Sequence, residues 1–454
     1  MKQSDKQTNE KSTFQVMTPL GVIGVDIADF IQAKKAAMGN NEKARPSYER
    51  QLIIDFIQGE DYSDSRYFSP NLGRLVKYYL EHHFSKSSLI EEYNLDKLAK
   101  MEPNYEIISL GDLGNHRYME DGFRLYDYNN ERFVLHSSVD MDDDQRIRII
   151  SNRKGRGMEI LNDIMDGFYS NGPLKNAFFD MDFRFLSRIN HDNELLAWNP
   201  EIEDKLNRDL VNFVKLMPML NQKGLPNSRG IILSGPPGTG KTMMAKAISA
   251  KVNITTILVS ADMIRHRSDV KSAFETARKL APSLVIIEDI DSAGTVTRKL
   301  ADHPILGEYL QALDGMEPNN GVIVLATTNH TENIDPAISD RPGRFDRIIE
   351  VDLPNSEQRS LILNNLLSKI EHTKITSDVI KNVVSKSDGL SGAWIREIIQ
   401  TSMIEAMSHG RTSVNANDLI FGLKDVLERR GIAYKPTKTL LDPTSSKQYE
   451  TYTA

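Results

Sequence analysis

An aliphatic run leads into a glycine-rich loop that ends in a lysine and a threonine, a combination suited to binding phosphate. Ile231–Leu233 lead into the sequence GPPGTGKT, and a helix-forming run from Met243 to Ala250 follows directly. Glycines allow successive backbone N–H groups to turn toward a phosphate chain, and the helix N-terminus adds unpaired donors. The lysine would reach the β- and γ-phosphates, and the threonine hydroxyl would join the shell of a Mg²⁺ ion. The sequence therefore predicts that a nucleoside triphosphate is bound by Gly235, Pro236, Pro237, Gly238, Thr239, Gly240, Lys241 and Thr242.

Two carboxylates follow another aliphatic run. Leu284–Ile287 end in Glu288 and Asp289. Carboxyl ends of parallel strands meet at one edge of a sheet, so this pair is expected beside the phosphate loop. One carboxylate would hold Mg²⁺, usually through water, and the other would activate the attacking water as a general base. We expect ATP hydrolysis with Thr242 and Glu288 on the metal, and the sequence leaves open whether Glu288 or Asp289 is the base.

Three further polar residues extend this predicted site. Asn329 follows the aliphatic run Val322–Ala326, and its amide can contact both the γ-phosphate and the attacking water because it donates and accepts. Arg341 and Arg344 flank a Pro-Gly turn, and guanidinium groups suit the charge of a phosphoryl transition state. Local sequence does not decide whether these arginines act in their own site or in that of a neighbouring subunit.

Composition restricts the possible partners. The 454 residues are 39% hydrophobic and 26% charged, which is typical of a globular protein of ~3 domains. A net charge of −7 disfavours nucleic acid and anionic membrane as partners. The chain has no cysteine, which excludes disulfides and thiolate metal sites. No apolar run is long enough to span a bilayer, and a cytoplasmic location without membrane insertion is expected.

The hydrophobic periodicity divides the chain into segments. Apolar residues recur first at helical spacing and then at every second position, which is typical of strands. Predicted strands that alternate with helices follow, and the last segment is predicted to be helical only. The predicted segments are a disordered tail (1–13), a mainly helical N-terminal domain (14–103), a small α+β domain (104–194), an α/β nucleotide-binding domain with a parallel sheet (195–355), a helical lid (356–430) and a polar tail (431–454).

A basic cluster lies within the predicted α+β domain. Arg146, Arg148, Arg153, Lys154 and Arg156 follow the acidic run 140–144. Such a cluster could meet a polyanion, but we expect it to offset the acidic run or to line a subunit contact.

Taken in order, these motifs resemble the AAA clade of the AAA+ ATPases. The resemblance covers about half of the chain. It is carried by GPPGTGKT at 235–242, the acidic strand end at 284–291, LQALDGM at 310–316, ATTN at 326–329, DRPGRFDR at 340–347 and DGLSGAWIREI at 388–398.

The resemblance implies roles and an assembly. Asn329 would be the sensor-1 residue, and Arg341 and Arg344 would be arginine fingers that reach into the site of the next protomer. Gly392 and Ala393 fall where the lid of this family approaches the ribose and phosphates. The family forms homo-oligomeric rings, usually hexamers, that couple ATP turnover to the remodelling of protein partners.

Two departures from the family pattern affect the expected mechanism. The usual acidic pair is Asp then Glu, whereas this chain has Glu288 then Asp289. The segment Ser260–Asp269 is shorter than the pore loop of threading members and lacks its aromatic residue and glycine. Both departures are similar to the Bcs-type branch, which translocates a folded protein. That branch also has an N-terminal membrane helix, and this chain shows none.

The sequence therefore favours a ring-forming ATPase that remodels or translocates a protein partner without threading it through the pore. Two alternatives stay open, namely an unfoldase that serves a separate protease and a slowly hydrolysing scaffold or switch. A nucleic-acid motor is disfavoured by the acidic composition.

Overall fold

The computed structural model describes residues 13–18, 21–26, 47–96, 99–188, 199–260, 263–264, 266–290, 320–329, 345–373 and 375–433. The predicted tails fall outside these ranges except at their inner ends. Strands β1 (Thr13–Thr18) and β2 (Gly21–Asp26) form an antiparallel hairpin at the N-terminal end.

An antiparallel sheet with three helices follows the hairpin. Its elements are α1 (Tyr48–Ile57), β3 (Tyr62–Phe68), α2 (Pro70–His83), β4 (Leu89–Asp96), β5 (Ala99–Met101), β6 (Asn104–Ser109), β7 (Asn115–Tyr128), β8 (Glu131–Val139), β9 (Gln145–Ser151) and α3 (Arg156–Asn171). The strand order is β3-β9-β8-β7-β4-β5, and β6 pairs with the first half of the long strand β7.

Alternation along the strands explains why both faces of this sheet are covered. Side chains of successive strand residues point to opposite faces. On β8, Phe133 and Leu135 pack with α2 and α3, whereas Val134 packs with Ile53 and Ile57 of α1. The sheet therefore has one core on each side.

The structure corrects the predicted division of the N-terminal half. Residues 14–103 were expected to be mainly helical, yet β3 and β4 come from this segment and pair with β9 and β7. The antiparallel sheet thus crosses the predicted boundary between residues 103 and 104. Strand β3 has the sequence YSDSRYF, whose polar residues give little apolar signal, and its pairing with β9 determines its conformation.

A second correction concerns the segment that joins the two sheets. Residues 104–194 were assigned to the small α+β domain, but β10 (Phe178–Asp180), which lies in this range, pairs in parallel with the nucleotide-domain strand that begins at Thr255. The hydroxyl of Thr255 donates to the carbonyl of Leu174 at 3.2 Å and accepts from the N–H of Asn176 at 3.0 Å. One continuous apolar cluster contains residues of both sheets, so the small domain and the nucleotide domain share a core.

The second sheet confirms the parallel α/β prediction. Its elements are α4 (Pro200–Leu206), a π-helical turn (Asn207–Val211), α5 (Asn212–Gln222), β11 (Arg229–Ser234), α6 (Lys241–Lys251), β12 (Thr255–Ser260), α7 (Arg267–Lys279), β13 (Ser283–Glu288), β14 (Val322–Thr328) and β15 (Phe345–Glu350). The strand order is β10-β12-β13-β14-β11-β15, with all pairings parallel. Helix α7 covers one face and α4, α5 and α6 the other, which is why the central strands are nearly uninterrupted aliphatic runs.

Between residues 345 and 433, as far as they are described, four helices follow the parallel sheet: α8 (Ser356–Leu367), α9 (Ser377–Lys386), α10 (Gly392–Ser408) and α11 (Ala416–Ala433). They share a separate apolar core that includes Leu363, Leu367, Ile395 and Ile398. Asn355 and Gln358 form reciprocal side-chain to backbone hydrogen bonds of 2.9 Å at the start of α8.

Two arginines of the basic cluster pair with carboxylates outside the acidic run, and the alternative of a subunit contact stays a prediction. Arg148 pairs with Glu49 at 2.7 Å, and Arg156 pairs with Glu131 at 2.7 Å. In the acidic run, Asp143 instead pairs with Arg74 at 2.8 Å. Arg148 and Arg156 therefore tie β9 and the start of α3 to neighbouring elements of their own domain.

A buried lysine links α2 to the antiparallel sheet. Lys77 is 1% exposed, and its ammonium group donates to the carbonyls of Glu120 and Ser138 and to Oε1 of Gln145, at 2.7, 3.0 and 2.7 Å. Each ammonium hydrogen therefore has an acceptor. Burial lowers the pKa of Lys77 to about 8.

We expect Lys77→Met to lower the free energy of unfolding by about 2–4 kcal/mol, because three acceptors around the buried ammonium group lose their donor. Chemical denaturation at pH 7 measures the change. Lys100→Met is the control, since it removes a more exposed ion pair with Glu91 and should change stability by less than about 1 kcal/mol. Equal effects of the two variants would contradict a structural role for Lys77.

The lowered pKa of Lys77 also predicts a pH dependence. Between pH 8 and about 10.5 the unfolded chain keeps the proton of Lys77 while the folded protein loses it, so stability should rise with pH in this window. The stability of the wild type relative to Lys77→Met, measured at pH 7, 8, 9 and 10, isolates this contribution. A constant difference over the series would contradict it.

Candidate functional site

The phosphate loop connects the end of β11 to the start of α6. Gly235 has a φ of 152°, and a Cβ at this position would collide with the carbonyl oxygen of Val351. Gly238 has a φ of 78°, and a Cβ there would lie 2.6 Å from Oγ of Ser391. Both positions require glycine because the loop passes closely between the segment that follows β15 and the lid.

The lysine and threonine of the motif lie at the start of α6. Lys241 is 5% exposed, and its Nζ donates to the carbonyls of Gly235 and Pro236 at 2.7 and 2.8 Å. Its ammonium group thus lies over the loop that is expected to hold phosphate. Thr242 is the second residue of the helix and is half-buried. The unpaired N–H groups of this helix end favour an anion here.

The second carboxylate is fixed by the neighbouring strand. Asp289 has a φ of 48°, and its N–H donates to Oγ1 of Thr327 at 3.0 Å. Nδ2 of Asn329 donates to Oδ1 of Asp289 at 3.2 Å. The Asn329 amide therefore orients the carboxylate of Asp289 through one of its oxygens.

The first carboxylate has a different partner. Nζ of Lys246, on α6, lies 2.8 Å from Oε1 of Glu288, and the two form an ion pair without hydrogen-bond geometry. Within the described part of the chain, Oε1 of Glu288 is buried and accepts no hydrogen bond. Glu288 and Asp289 are adjacent in sequence, yet they contact different elements.

The lid touches the phosphate loop directly. The N–H of Ala393 donates to the carbonyl of Gly238 at 3.2 Å. Ser391 precedes α10 at its N-cap position and is 3% exposed, but its Oγ makes no hydrogen bond among the residues that the structure describes. The lid and the loop therefore form one wall of the same cleft.

A cavity of about 460 Å³ opens beside this contact. This volume suits a small organic ligand such as a nucleotide. It is lined by the loop (Gly238, Thr239, Gly240), α6 (Met243, Met244), the start of α4 (Asn199, Ile202), the segment after β15 (Val351, Asp352, Leu353, Pro354, Asn355), α8 (Gln358, Ile362, Asn365, Leu366, Lys369) and α10 (Gly392, Ala393, Arg396).

The structure brings most of the predicted site residues together. The phosphate loop, Glu288, Asp289 and Asn329 lie at the carboxyl edge of the parallel sheet, and Gly392 and Ala393 line the cavity. Arg341 and Arg344 lie outside the described residues. The roles of all of these residues stay predictions.

Sequence reasoning missed three parts of the site. Asn199 and Ile202 lie more than 30 positions before the loop and enter the cavity wall only through the fold. The segment 351–355 reaches the cavity because β15 pairs with β11. The position of Lys246 could have been predicted from the sequence, because it follows Thr242 by four residues on a helix and therefore lies on the same face.

Fold and site together define a P-loop nucleotide-binding protein with a helical lid. Residues 231–353 match the sequence profile described as "ATPase family associated with various cellular activities (AAA)". A proteasome-activating nucleotidase of Sulfurisphaera tokodaii is 32% identical over 285 residues, which cover 59% of this chain and 70% of that protein. This chain belongs to the AAA family, and it is an ATPase.

Two further relatives match similar lengths. A proteasome-activating nucleotidase of Saccharolobus solfataricus is 35% identical over 244 residues, 49% of this chain and 60% of that protein. The ATP-dependent zinc metalloprotease FtsH of Acidothermus cellulolyticus is 34% identical over 224 residues, 46% of this chain and 33% of that protein. The narrower resemblance to the Bcs-type branch stays a prediction. Among the residues that the structure describes, no helix has both the length and the apolar character needed to cross a bilayer.

We expect Asp289→Asn to retain ATP binding and to lower kcat by a factor of about 10²–10⁴, because the neutral amide cannot take a proton from water. Binding of a fluorescent ATP analogue and multiple-turnover phosphate release measure the two effects. The matched variant Glu288→Gln should mainly raise the Mg²⁺ concentration required. Full activity of Asp289→Asn would assign the base to Glu288.

Proposed function

We propose that this chain is a Mg²⁺-dependent ATPase that assembles into a homo-oligomeric ring and uses ATP hydrolysis to remodel or translocate a protein partner. The observation that carries the proposal is the 285-residue similarity to a protein named for activating the proteasome. This similarity extends beyond residues 231–353, the part that matches the ATPase profile. It therefore supports a shared use of ATP turnover on protein substrates.

The donor set of the site fits a magnesium ion. Thr242 offers a hydroxyl at the start of α6, and Glu288 offers its second carboxylate oxygen, since Oε1 pairs with Lys246. Hydroxyl, carboxylate and water oxygens are the ligands that Mg²⁺ prefers. When bound, the ion would neutralise charge on the β- and γ-phosphates.

The remaining steps belong to protein side chains. The loop N–H groups and Lys241 would bind the phosphates, and Asn329 would orient the attacking water. As that water attacks the γ-phosphorus, Asp289 would accept its proton and the bond to the ADP oxygen would break. Asn329 keeps Asp289 oriented through the 3.2 Å hydrogen bond.

The ring is proposed from the arginines. By resemblance, Arg341 and Arg344 reach the γ-phosphate of a neighbouring protomer, and a hexamer is the expected ring. Each site would then be complete only between two copies of the chain, which would couple turnover to assembly.

We also propose that the partner is not threaded as an unfolded chain. The segment Ser260–Asp269 lacks the aromatic residue and glycine that grip a polypeptide. In its described part, Ile264 is buried in the shared core, and the N–H of His266 donates to Oδ2 of Asp269 at 2.8 Å. Both contacts support a segment that packs against its own domain.

A second candidate function is an unfoldase that serves a separate protease. The relatives named as proteasome-activating nucleotidases and as an ATP-dependent zinc metalloprotease favour it. The two candidate functions differ in whether a folded protein is unfolded during ATP hydrolysis.

Mixing two inactive variants tests the shared site. Arg344→Ala should assemble but not hydrolyse ATP, and Lys241→Ala should not bind ATP in its own site. If the arginine acts on the neighbouring copy, mixed assemblies should recover part of the wild-type phosphate release. Each variant alone at the same total concentration is the control, and absence of recovery at every mixing ratio would contradict an arginine that acts between subunits.

A folded fluorescent protein with an unstructured tag tests threading. We expect no ATP-dependent loss of its fluorescence and no stimulation of turnover by a permanently unfolded polypeptide. A threading unfoldase assayed in parallel is the positive control. Loss of fluorescence with this protein that requires ATP hydrolysis would replace the first candidate by the second.

A further inference from the structure

One lysine of the phosphate-loop helix makes its contact inside the site. Lys246 follows Thr242 by four residues on α6, so the two side chains lie on the same face of the helix. Helical side chains lean toward the N-terminus. Lys246 therefore lies beneath the turn that carries the lysine and threonine of the phosphate loop.

The contact of Lys246 is with Glu288 at the end of β13. The two charged atoms are 2.8 Å apart, and the side chains are 26% and 16% exposed. Oε1 of Glu288 is shielded from solvent and accepts no hydrogen bond within the described ranges. The exposure that remains on Glu288 therefore belongs to its other atoms.

We propose that Lys246 is a positioning residue for the metal-side carboxylate. It anchors Oε1 of Glu288 and leaves the second oxygen for a water bound to Mg²⁺. The inference rests on the magnesium site proposed above. The proposal also gives the two carboxylates different roles, because Glu288 pairs with Lys246 whereas Asp289 contacts Thr327 and Asn329.

The swapped order of the carboxylates gives this contact its importance in this chain. The side chain of Glu288 is one methylene longer than the aspartate usual at this position in the family, and this length adds a rotatable bond. A longer side chain has more orientations to choose from, so it needs a second contact to hold one of them. The ammonium group of Lys246 supplies that contact.

Loss of the ammonium group would affect the metal rather than the nucleotide. A buried carboxylate oxygen without a counter-ion is unfavourable, so Glu288 would turn toward solvent. Outer-shell partners of metal ligands typically change metal affinity 10–100-fold. The contacts that the loop backbone and Lys241 would make with phosphate do not involve Lys246.

The test is a Mg²⁺ titration of the binding of a fluorescent ADP analogue. Lys246→Met, which keeps the length and removes the charge, should raise the half-saturating Mg²⁺ concentration about 10-fold. Its affinity for the analogue in EDTA should stay within about twofold of the wild type. Lys246→Arg should restore most of the Mg²⁺ response, because the positive charge is kept.

Lys251→Met is the matched control. Lys251 is the last residue of the same helix, at the end opposite the phosphate loop, and it pairs with Glu203 at a distance of 2.7 Å. This variant should leave the Mg²⁺ response unchanged. Equal thermal unfolding temperatures of the variants would show that the helix is intact. If Lys246→Met leaves the Mg²⁺ response unchanged, or weakens binding equally with and without Mg²⁺, the positioning role is wrong.

A double variant tests whether Lys246 acts through Glu288. Once Glu288→Gln has removed the charged carboxylate, adding Lys246→Met should change the half-saturating Mg²⁺ concentration by less than twofold. If the double variant instead shows the product of the two single fold-changes in half-saturating Mg²⁺ concentration, the proposal is contradicted.

The measurement needs neither a ring nor a protein partner, so a failure of the proposed remodelling function would not affect it. If binding of the ADP analogue to the wild type does not depend on Mg²⁺, the proposed magnesium site itself is wrong.

Discussion

The parallel pairing of β11 between β14 and β15 is the constraint on which the site depends. It brings the end of β11 beside Thr327 and Thr328 on one side and Glu350 on the other, so the phosphate loop begins between two strand ends. The N–H of Val351 donates to the carbonyl of Ser234 at 2.7 Å, which extends the pairing to the last residue of β11, directly before the loop. Any shift of this register would move the loop away from Asn329 and from the segment 351–355 together.

Around this pairing, each charged group of the site has its own support. Asp289 is held by β14, Glu288 by α6, and Lys241 by the carbonyls of the loop itself. Separate supports allow two adjacent carboxylates to take different roles, because a change at one contact does not move the other. The lid adds a fourth support through the hydrogen bond from Ala393 to Gly238. A movement of the lid is thereby coupled to the conformation of the loop.

The antiparallel domain is joined to this site through packed structure. Strand β10 extends the parallel sheet beyond β12, and the apolar core continues from α2 and α3 into α7. The guanidinium group of Arg188 donates to the carbonyls of Ser249 and Ile254 at 2.7 and 2.8 Å, which ties the joining segment to the end of the phosphate-loop helix. A force on the small domain can therefore reach α6 through bonded and packed atoms. This connection suits a protein that would convert ATP turnover into work on a partner.

The sequence by itself determined the phosphate loop, the carboxylate pair, Asn329 and the parallel sheet, because these signals are short and the carboxyl ends of parallel strands share one edge. It also separated the helical segment after residue 355, whose apolar stripes are local. Only the tertiary structure decided that β3 and β4 join the antiparallel sheet and that β10 belongs to the parallel one, since pairing between distant residues determines strands with a weak pattern. Tertiary structure likewise brought Asn199 and Ile202 to the cavity and Lys246 to Glu288. Adjacent residues such as Glu288 and Asp289 look equivalent in a sequence, and only their contacts distinguish them.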